Sequence, residues 1–412
     1  MTELEGMTLG ARIKELRQRR GMSQKELAAE VGRSESWMSQ VERDVQPVER
    51  LSVLQALADA LGVSVQDLRP EARTAATGEP EPVAARNDLD GLRMTLTGHP
   101  ALTSLFEARR TEAAFEIDAL TEAVDHAWTL AHASRFKELT EALNDLLPRL
   151  EAASREAPAD QRPHIHQLRA RTYQAVAAAF ARQGEADAAW VAADRALTAA
   201  EQSGHPLDVI AGHFRMAHAF MGLLHNEQAE RVAQAAIDVL RPRIEREDSA
   251  PEELSLFGAM HLVLAVIAAR EGSRATARAR IEEARKIADR IGTDRNDFNT
   301  EFGPTNVRLH AVSVAVDLGD AGEALDLAKE VDPSGLSPER QARFLLDVAR
   351  AHAQRRHVGE ATAALLRAEQ LAPEMIHGHP RSRQTLRDLI QLAGRRAPEE
   401  LTALARRAAA LP

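Results

Sequence analysis

The 412-residue sequence contains no cysteine, and only 3% of its residues are aromatic. The absence of cysteine excludes disulfides, thiol catalysis, zinc sites built on thiolates and iron–sulfur clusters. Alanine and leucine supply most of the apolar residues, so the chain has few good strand formers and favours helices packed on helices. We therefore expect an all-α fold.

Long apolar runs are also missing from the sequence. Residues 1–6 carry two glutamates and no apolar stretch, so we expect no secretory signal. The longest apolar stretch, residues 262–269, is too short to span a bilayer. We expect a soluble, cytoplasmic protein.

Motifs of common catalytic sites are missing too. There is no Walker phosphate loop, no Gly-x-Gly-x-x-Gly, no His-Glu-x-x-His and no Gly-x-Ser-x-Gly. The pairs His164/His166 and His377/His379 have the wrong spacing for one helix face, and we expect them to be surface histidines. The sequence predicts no enzyme, no metal site and no cofactor.

The balance of charge is acidic, with 52 lysines and arginines against 62 aspartates and glutamates, a net −10. This total argues against a surface that binds nucleic acid everywhere, but it leaves room for a local basic patch. Residues 12–25 are such a place, because they carry six basic side chains and one acid. The basic residues are Arg12, Lys14, Arg17, Arg19, Arg20 and Lys25. They form either a solvated helix face or an edge that meets phosphates.

Composition divides the chain into three segments. Residues 1–69 form a compact block of five short helical patterns. Residues 70–92 include a Pro- and Gly-containing stretch without apolar period, which predicts a linker. Residues 93–412 carry long amphipathic helices.

The N-terminal block has clear helix boundaries. Thr8 is placed to cap a first helix ending near Arg20, and Ser23 with Glu26 forms a capping box for a second. Ser34 caps a third helix through Glu42, with Ser34, Met38 and Val41 as its inward stripe. A fourth helix carries leucines up to Leu61, and Ser64 with Asp67 caps a short fifth.

A short helix, a turn containing glycine and a second short helix are typical of a helix-turn-helix. Residues 9–68 resemble the phage-repressor type, the Xre family of bacterial regulators. The resemblance is carried by Ile13–Arg17, Gly21–Ala28, Val31–Gly32, Ser34–Arg43 and Leu57–Ser64. Asp44 departs from the family pattern, which has glycine or a basic residue there.

The resemblance implies which residues meet DNA. Glu35, Ser36 and Gln40 are the expected readers of base edges, while Gln24, Ser34, Ser39 and Arg43 are expected at phosphates. Arg33, in the turn, is assigned to the same surface. Trp37 lies at the flank, where it either contacts a thymine methyl or packs beside Val41.

The C-terminal segment is predicted to be a stack of helix pairs. Between residues 160 and 375 small and large residues recur as in tetratricopeptide repeats, a resemblance that implies an α-solenoid. The alanine that opens the packing segment of each second helix stands at 189, 229, 277, 324 and 361. The steps between them are 40, 48, 47 and 37 residues, longer than the standard 34.

The first helices of such pairs line a concave face, which suits an extended peptide or a small-molecule effector. The residues predicted to bind the effector are Arg171, Gln174, Phe214, His218, Met221, Asn306, Arg343 and Arg350. Near this face, Thr305 and Asn306 either bind an anion at a helix N-terminus or form an N-cap with Phe302 as a hydrophobic staple.

The combined resemblance is to peptide-responsive quorum-sensing regulators, which join the same two modules. It implies a homodimeric, bacterial transcription regulator that binds a double-stranded operator and senses a peptide or small molecule. The alternative is a protein-interaction scaffold whose repeat array captures a partner while DNA binding is secondary. The sequence names neither the operator, the effector, the dimer interface nor the sign of regulation.

Overall fold

The computed structural model describes residues 7–46, 48, 51–63, 68, 89–97, 116–246 and 248–411. These residues are helical or lie in turns, and no strand occurs among them, so the predicted all-α class is confirmed. The predicted fifth helix with its Ser64–Asp67 cap, and most of the predicted linker, lie outside the described residues.

Four helices build the N-terminal domain, which we call the head (residues 8–68). They are α1 (Leu9–Arg19), α2 (Gln24–Glu30), α3 (Glu35–Glu42) and α4 (Leu51–Leu61). Apolar residues from all four, together with Leu68, share one buried core.

The predicted caps of the head are confirmed. The Thr8 hydroxyl accepts a hydrogen bond from the Ala11 amide, and the Ser34 hydroxyl accepts one from the Trp37 amide. Ser23 and Glu26 form the reciprocal capping box. These bonds satisfy amide groups that the start of a helix leaves without partners. They fix the residues at which α1, α2 and α3 begin.

The remaining helices form the array (residues 89–411). Its bounds are α5 (Asp90–Thr97), α6 (Ile117–His132), α7 (Phe136–Glu156), α8 (Arg162–Gln183), α9 (Ala186–Ser203), α10 (Pro206–Gly222), α11 (Asn226–Ile244), α12 (Pro251–Arg270), α13 (Arg274–Ile291), α14 (Pro304–Asp317), α15 (Ala321–Lys329), α16 (Pro338–Gln354), α17 (Val358–Leu371), α18 (Pro373–Gly378), α19 (Pro380–Ala393) and α20 (Glu399–Arg407). Short 3₁₀ turns occupy 297–299 and 394–396.

The boundary between linker and array differs from the prediction. Helix α5 begins at Asp90, before the predicted linker end at residue 92. Leu89 and Leu92 are buried in the core of the array, so this segment belongs to the array. The polar composition just upstream conceals this short amphipathic start.

Small residues set the distance between paired helices. Each of the five predicted alanines is the fourth residue of a second helix: α9, α11, α13, α15 and α17. All five are fully buried. A methyl side chain at these points lets the helix axes approach closely, so the regular recurrence of alanine predicts the packing correctly.

The array closes on itself. Residues from α6–α9 and from α16–α20 belong to one hydrophobic core. The buried Arg182 on α8 and Glu339 on α16, 157 residues apart, form an ion pair with Nε and Oε1 separated by 3.1 Å. Where α8 meets α16, the array therefore has a closed interior in place of the expected open concave face.

Helix α12 is the one long helix among the described residues that is apolar enough to cross a membrane. Further apolar residues precede the apolar stretch 262–269. By length and composition, α12 could therefore cross a membrane. However, 89% of its apolar window is buried inside the protein, as expected for the core helix of a globular array.

Packing at the alanines predicts a specific sensitivity to side-chain size. Ala277→Leu should lower the free energy of unfolding by about 1–3 kcal/mol, because extra carbons are forced into a filled helix–helix contact. Ala279→Leu, at an exposed site on the same helix α13, is the matched control and should change it by less than about 0.5 kcal/mol. Urea unfolding followed by circular dichroism measures both, and equal effects would contradict the assigned contact.

Candidate functional site

Helix α3 is held in the head by its inward face. Met38 and Val41 are fully buried, as predicted, whereas Ser34 is exposed and serves only as the cap. Trp37 packs in the same core beside Val41, and the Arg33 guanidinium lies 5.7 Å from its ring centroid. The packing alternative for Trp37 is therefore the one observed.

A buried charge network ties α1, α2 and α3 together. Glu42 accepts hydrogen bonds from Arg17 and, at 2.7 Å, from Gln24 Nε2. Arg17 also donates to the Met22 carbonyl at 2.6 Å. The Glu42 hydrogen bonds raise the pKa of Arg17 further above its ordinary value. Gln24, predicted to contact phosphate, is here a structural bridge.

The unusual Asp44 has a structural role. It has a positive φ of 57°, and its carboxylate accepts hydrogen bonds from the Thr8 hydroxyl and the Gly10 amide at the start of α1. Gly10 is required there, because a Cβ would clash with the Val41 carbonyl. An acid at residue 44 thus joins the end of α3 to the beginning of α1.

The expected basic edge of residues 12–25 is only partly a surface feature. Arg12 and Arg17 are buried, because their guanidinium groups serve contacts inside the head. Arg20 donates to the Ala60 carbonyl at 2.7 Å. Lys14 and Lys25 remain exposed.

The nine predicted DNA-binding residues differ in exposure. Ser34, Glu35, Ser36 and Arg43 are exposed, whereas Gln24, Arg33 and Ser39 are half-buried. Trp37 and Gln40 are buried, and Gln40 is only 6% exposed.

The array covers Gln40. The Gln40 Nε2 donates to the Gly319 carbonyl at 2.9 Å, across 279 residues of sequence. Gly319 lies in the turn between α14 and α15 with φ +83°, and a Cβ there would lie 2.5 Å from Gln40 Nε2. Only glycine permits both this backbone conformation and this approach.

A second turn of the array meets the head. Gly272, between α12 and α13, lies against Arg33, since a Cβ on Gly272 would be 2.9 Å from Arg33 Cδ. Two adjacent turns of the array therefore contact the turn before α3 and the face of α3 itself. In this arrangement Gln40 is not accessible to a DNA groove, whereas Glu35 and Ser36 on the same face remain exposed.

A cleft of about 880 Å³ separates the rest of the head from the array. Asp44 of the head and Asp388 of α19 both line it. Burial, with a further contribution from Asp44, raises the pKa of Asp388 to about 6. The head is therefore docked at α3, while elsewhere the contact is open and includes a repulsive pair of carboxylates.

A separate cavity of about 80 Å³ lies inside the array. Five of the eight predicted effector residues line it: Phe214, His218, Met221, Asn306 and Arg343. Leu309 and Ser313 of α14 complete the same wall. The helical projection of α10 and α14 thus places these side chains together.

The other three predicted effector residues lie elsewhere. Arg171 pairs with Asp125 at 2.6 Å, and Gln174 is buried away from the cavity. Arg350 lines the cleft beside the head, where it pairs with Asp317 at 2.6 Å and Asp347 at 2.8 Å. For Arg171 and Arg350, the ion pairs with Asp125 and Asp317 link different helices, and the sequence does not reveal them.

Sequence reasoning missed several residues of the cavity. These are Ala259, Leu262, Val263, Val266, Arg270, Thr300, His310, Arg340, Phe344, Asp347 and Arg381. Arg340 and Arg343 stand about one helical turn apart in the sequence, and this spacing indicates a basic face on α16. Arg381 comes from α19, which the repeat pattern does not include.

The cavity is positively charged at neutral pH. Four arginines and one carboxylate, Asp347, line it. Burial and neighbouring arginines lower the pKa of His310 to about 3 and that of His218 well below its ordinary value, so both rings are neutral. The charge therefore comes from arginine alone.

The expectation of surface histidines is confirmed for His164 alone among the four. His164 is exposed and His166 of the same helix is half-buried, but His377 bonds to Glu369 at 2.7 Å. Burial and nearby arginines lower the pKa of His379 to about 3.

An irregular segment closes one end of the cavity. Phe298, Asn299 and Glu301 all have positive φ values, a conformation that costs free energy in residues other than glycine. Arg215 donates to the Asn299 carbonyl at 2.7 Å, and Arg340 donates to the Thr300 carbonyl at 3.1 Å. These bonds hold the strained backbone in place.

The expected side-chain cap of α14 is wrong, because its N-cap is Gly303, which has no capping side chain. Phe302 is fully buried against Gly258, where a Cβ would clash with its ring. The Thr305 amide donates to Asp294 Oδ1 at 2.9 Å, so a carboxylate of the chain already occupies the start of α14. Phe302 therefore belongs to the core.

The neutral state of His310 predicts acid sensitivity. Its pKa is lower in the folded than in the unfolded chain, so the unfolded chain binds more protons as pH falls below about 6.5. The free energy of unfolding should decrease by up to about 1.4 kcal/mol per pH unit through this group. His310→Gln should reduce the slope between pH 6.5 and 4.5, whereas the exposed control His164→Gln should not; equal slopes in urea unfolding would contradict the assignment.

Comparison with known families identifies the head. Residues 8–72 match the family model of a helix-turn-helix domain. The match covers the four described helices of the head and leaves the array outside it. A search of curated proteins finds no match.

Among solved structures, the chain is similar to the crystal structure of Bacillus thuringiensis PlcR in complex with the peptide PapR7 and DNA. The identity is 15%, with 85% of this chain and 98% of that chain covered, and the TM-score is 0.37. So low a score carries no argument about the array. The N-terminal residues of this chain are thus a helix-turn-helix domain, joined to a closed helical array.

Proposed function

We propose that the protein is a cytoplasmic DNA-binding transcription regulator in which the array masks the reading helix α3. The observation that carries this proposal is the hydrogen bond from Gln40 to the Gly319 carbonyl. A helix-turn-helix domain binds by placing its second helix in the major groove. Gln40 cannot contact a base and Gly319 at the same time.

The contact has the character of a reversible lock. Among the described residues it includes the side-chain hydrogen bond of Gln40 and the approach of Arg33 to Gly272, beside an open cleft. A single such bond contributes about 0.5–1.5 kcal/mol, which binding of DNA or of an effector can readily exceed. Masking therefore favours regulation over constant occupation of DNA.

The residues of the head have separate roles in this proposal. Gln40, Glu35 and Ser36 read base edges after release, while the exposed Arg43 and Ser34 contact phosphates. Arg33 and Ser39 lie beside them. Gln24 and Trp37 support α3 from within the head. Two heads of a homodimer would read a two-fold operator.

The scaffold alternative receives less support. Capture of a partner by a repeat array needs an accessible groove, whereas the two ends of this array share one core and the Arg182–Glu339 pair. For the same reason, an extended peptide finds no open groove where α8 meets α16.

Two substitutions in α3 test the proposed DNA interface. Arg43→Ala should weaken binding to all sequences, because a phosphate contact is lost, and it should reduce the salt dependence of binding. Gln40→Ala should relax preference at one base position by about 1–3 kcal/mol. Both effects are measured on duplexes from the gene's own upstream region and by in vitro selection from random duplexes. Gln18→Ala on the exposed face of α1 is the control; unchanged specificity in Gln40→Ala would contradict the reading role.

A substitution in the array tests the masking. Gly319→Asn adds a side chain that collides with Gln40, and Asn tolerates a positive φ better than most residues. Release of the head should raise DNA affinity by up to roughly tenfold. Gly292→Asn is matched, since Gly292 has φ +76° and open space around it. Fluorescence anisotropy with a labelled duplex compares them, and equal affinities for the two variants would refute masking.

A further inference from the structure

The cavity in the array has an apolar side and a polar side. Phe214, Met221, Leu262, Val263 and Phe344 supply apolar surface. Arg340 and Arg343 of α16 and Asn306 and the neutral His310 of α14 supply polar groups to the same lining. Such a division suits a molecule with an apolar body and an anionic group.

Arg343, like Arg381, is a cation with hydrogen-bonding capacity to spare. Its one ion-pair contact is to Glu339 at 3.6 Å, and its side chain is 43% exposed. It makes no hydrogen bond within the described parts of the chain, although a guanidinium carries five N–H donors. Arg340, by contrast, bonds to Glu301 at 3.3 Å and to the Thr300 carbonyl.

Asn306 supplies an independent sign of a missing ligand. This residue is 1% exposed, and its Oδ1 atom has no hydrogen-bond partner among the described residues. A buried amide without a partner costs free energy, and either orientation of the amide is compatible with the same side-chain position. A ligand at Arg343 with a polar group towards Asn306 would satisfy both.

The size of the cavity limits what enters it. An engineered apolar cavity of about 150 Å³ accommodates benzene, so the 80 Å³ available here fits a body of only a few carbon atoms. A volume of about 80 Å³ has no room for several residues of an extended peptide. The positive charge selects anions, and a planar carboxylate matches the fork of a guanidinium.

We propose that this cavity binds a small organic acid, with its carboxylate on Arg343 and its short apolar body against Phe214 and Phe344. The proposal rests on the proposed function and names the chemical class of the effector. Asn306 accepts or donates the second polar contact, and the neutral histidines do not contribute charge.

The position of the cavity explains how such an acid reaches the head. Arg270 and Arg381 line both the cavity and the cleft beside the head. Arg381 lies 3.6 Å from Asp317, which also pairs with Arg350 in the cleft. Arg270 ends α12, two residues before Gly272 and its contact with Arg33. An added carboxylate redistributes these pairs and thereby changes the docking of the head.

The test uses the purified full-length protein with butyrate and hexanoate, and butyramide and hexanamide as uncharged counterparts. Isothermal titration calorimetry should show saturable binding of an acid that exceeds binding of its amide by at least about tenfold, since a charge-assisted bidentate contact is lost in the amide. Arg343→Met should weaken acid binding by a similar factor. Arg308→Met, at an exposed arginine of α14, should leave it unchanged.

Other outcomes overturn the proposal. It is overturned if acids and amides bind equally, or if Arg308→Met weakens acid binding as much as Arg343→Met does. It is also overturned if an oligopeptide binds and neither acid does. If Arg343→Met fails to fold by circular dichroism, Asn306→Asp replaces it, because its carboxylate should repel the acid. DNA binding without acid binding would defeat this inference alone, whereas acid binding by a protein that binds no duplex would defeat the proposed function.

Discussion

The ion pair between Arg182 and Glu339 is the constraint on which the architecture depends, because it joins helices far apart in sequence and closes the array. Burial favours the protonated acid, but Arg182, Arg343 and Arg340 outweigh it and lower the pKa of Glu339 well below its ordinary value. A charged carboxylate is thus fixed where α8 meets α16. Removing one partner of such a pair leaves a buried charge without compensation, so the pair specifies the arrangement of α8 and α16 in which both partners meet.

Closure gives the array two functions at once. It encloses the arginine-lined cavity, and it fixes the turns at Gly272 and Gly319 at the places where they meet the head. Arg270 and Arg381 belong to both regions. The repulsion between Asp44 and Asp388 opposes a fully closed contact, so a small change in the array is sufficient to alter the balance between masked and released heads.

Local features of the fold were predictable from sequence, and long-range ones were not. Caps such as Ser23 with Glu26, and the buried alanine at the start of each second helix, follow from spacing within a single element or a repeating pair. The burial of Gln40 depends on a contact 279 residues away, which no pattern within α3 reveals.

The candidate cavity shows the same division. Periodicity on α10 and α14 correctly grouped Phe214, His218 and Asn306 on one face. It placed Arg350 there too, although Asp317 of α14 and Asp347 of the same helix pair with that side chain in the cleft. Arg381 was missed because α19 lies outside the repeating pattern, and only the closure of the array brings it to the site.

The most direct test of the account is a distance measurement between head and array. Because the chain has no cysteine, Glu30→Cys and Thr276→Cys place spin labels at two exposed positions only, one in each part. Double electron–electron resonance should give one narrow distance distribution for the free protein and a shifted or broadened one when operator DNA is bound. An unchanged distribution in a protein saturated with DNA would show that α3 is not masked by the array.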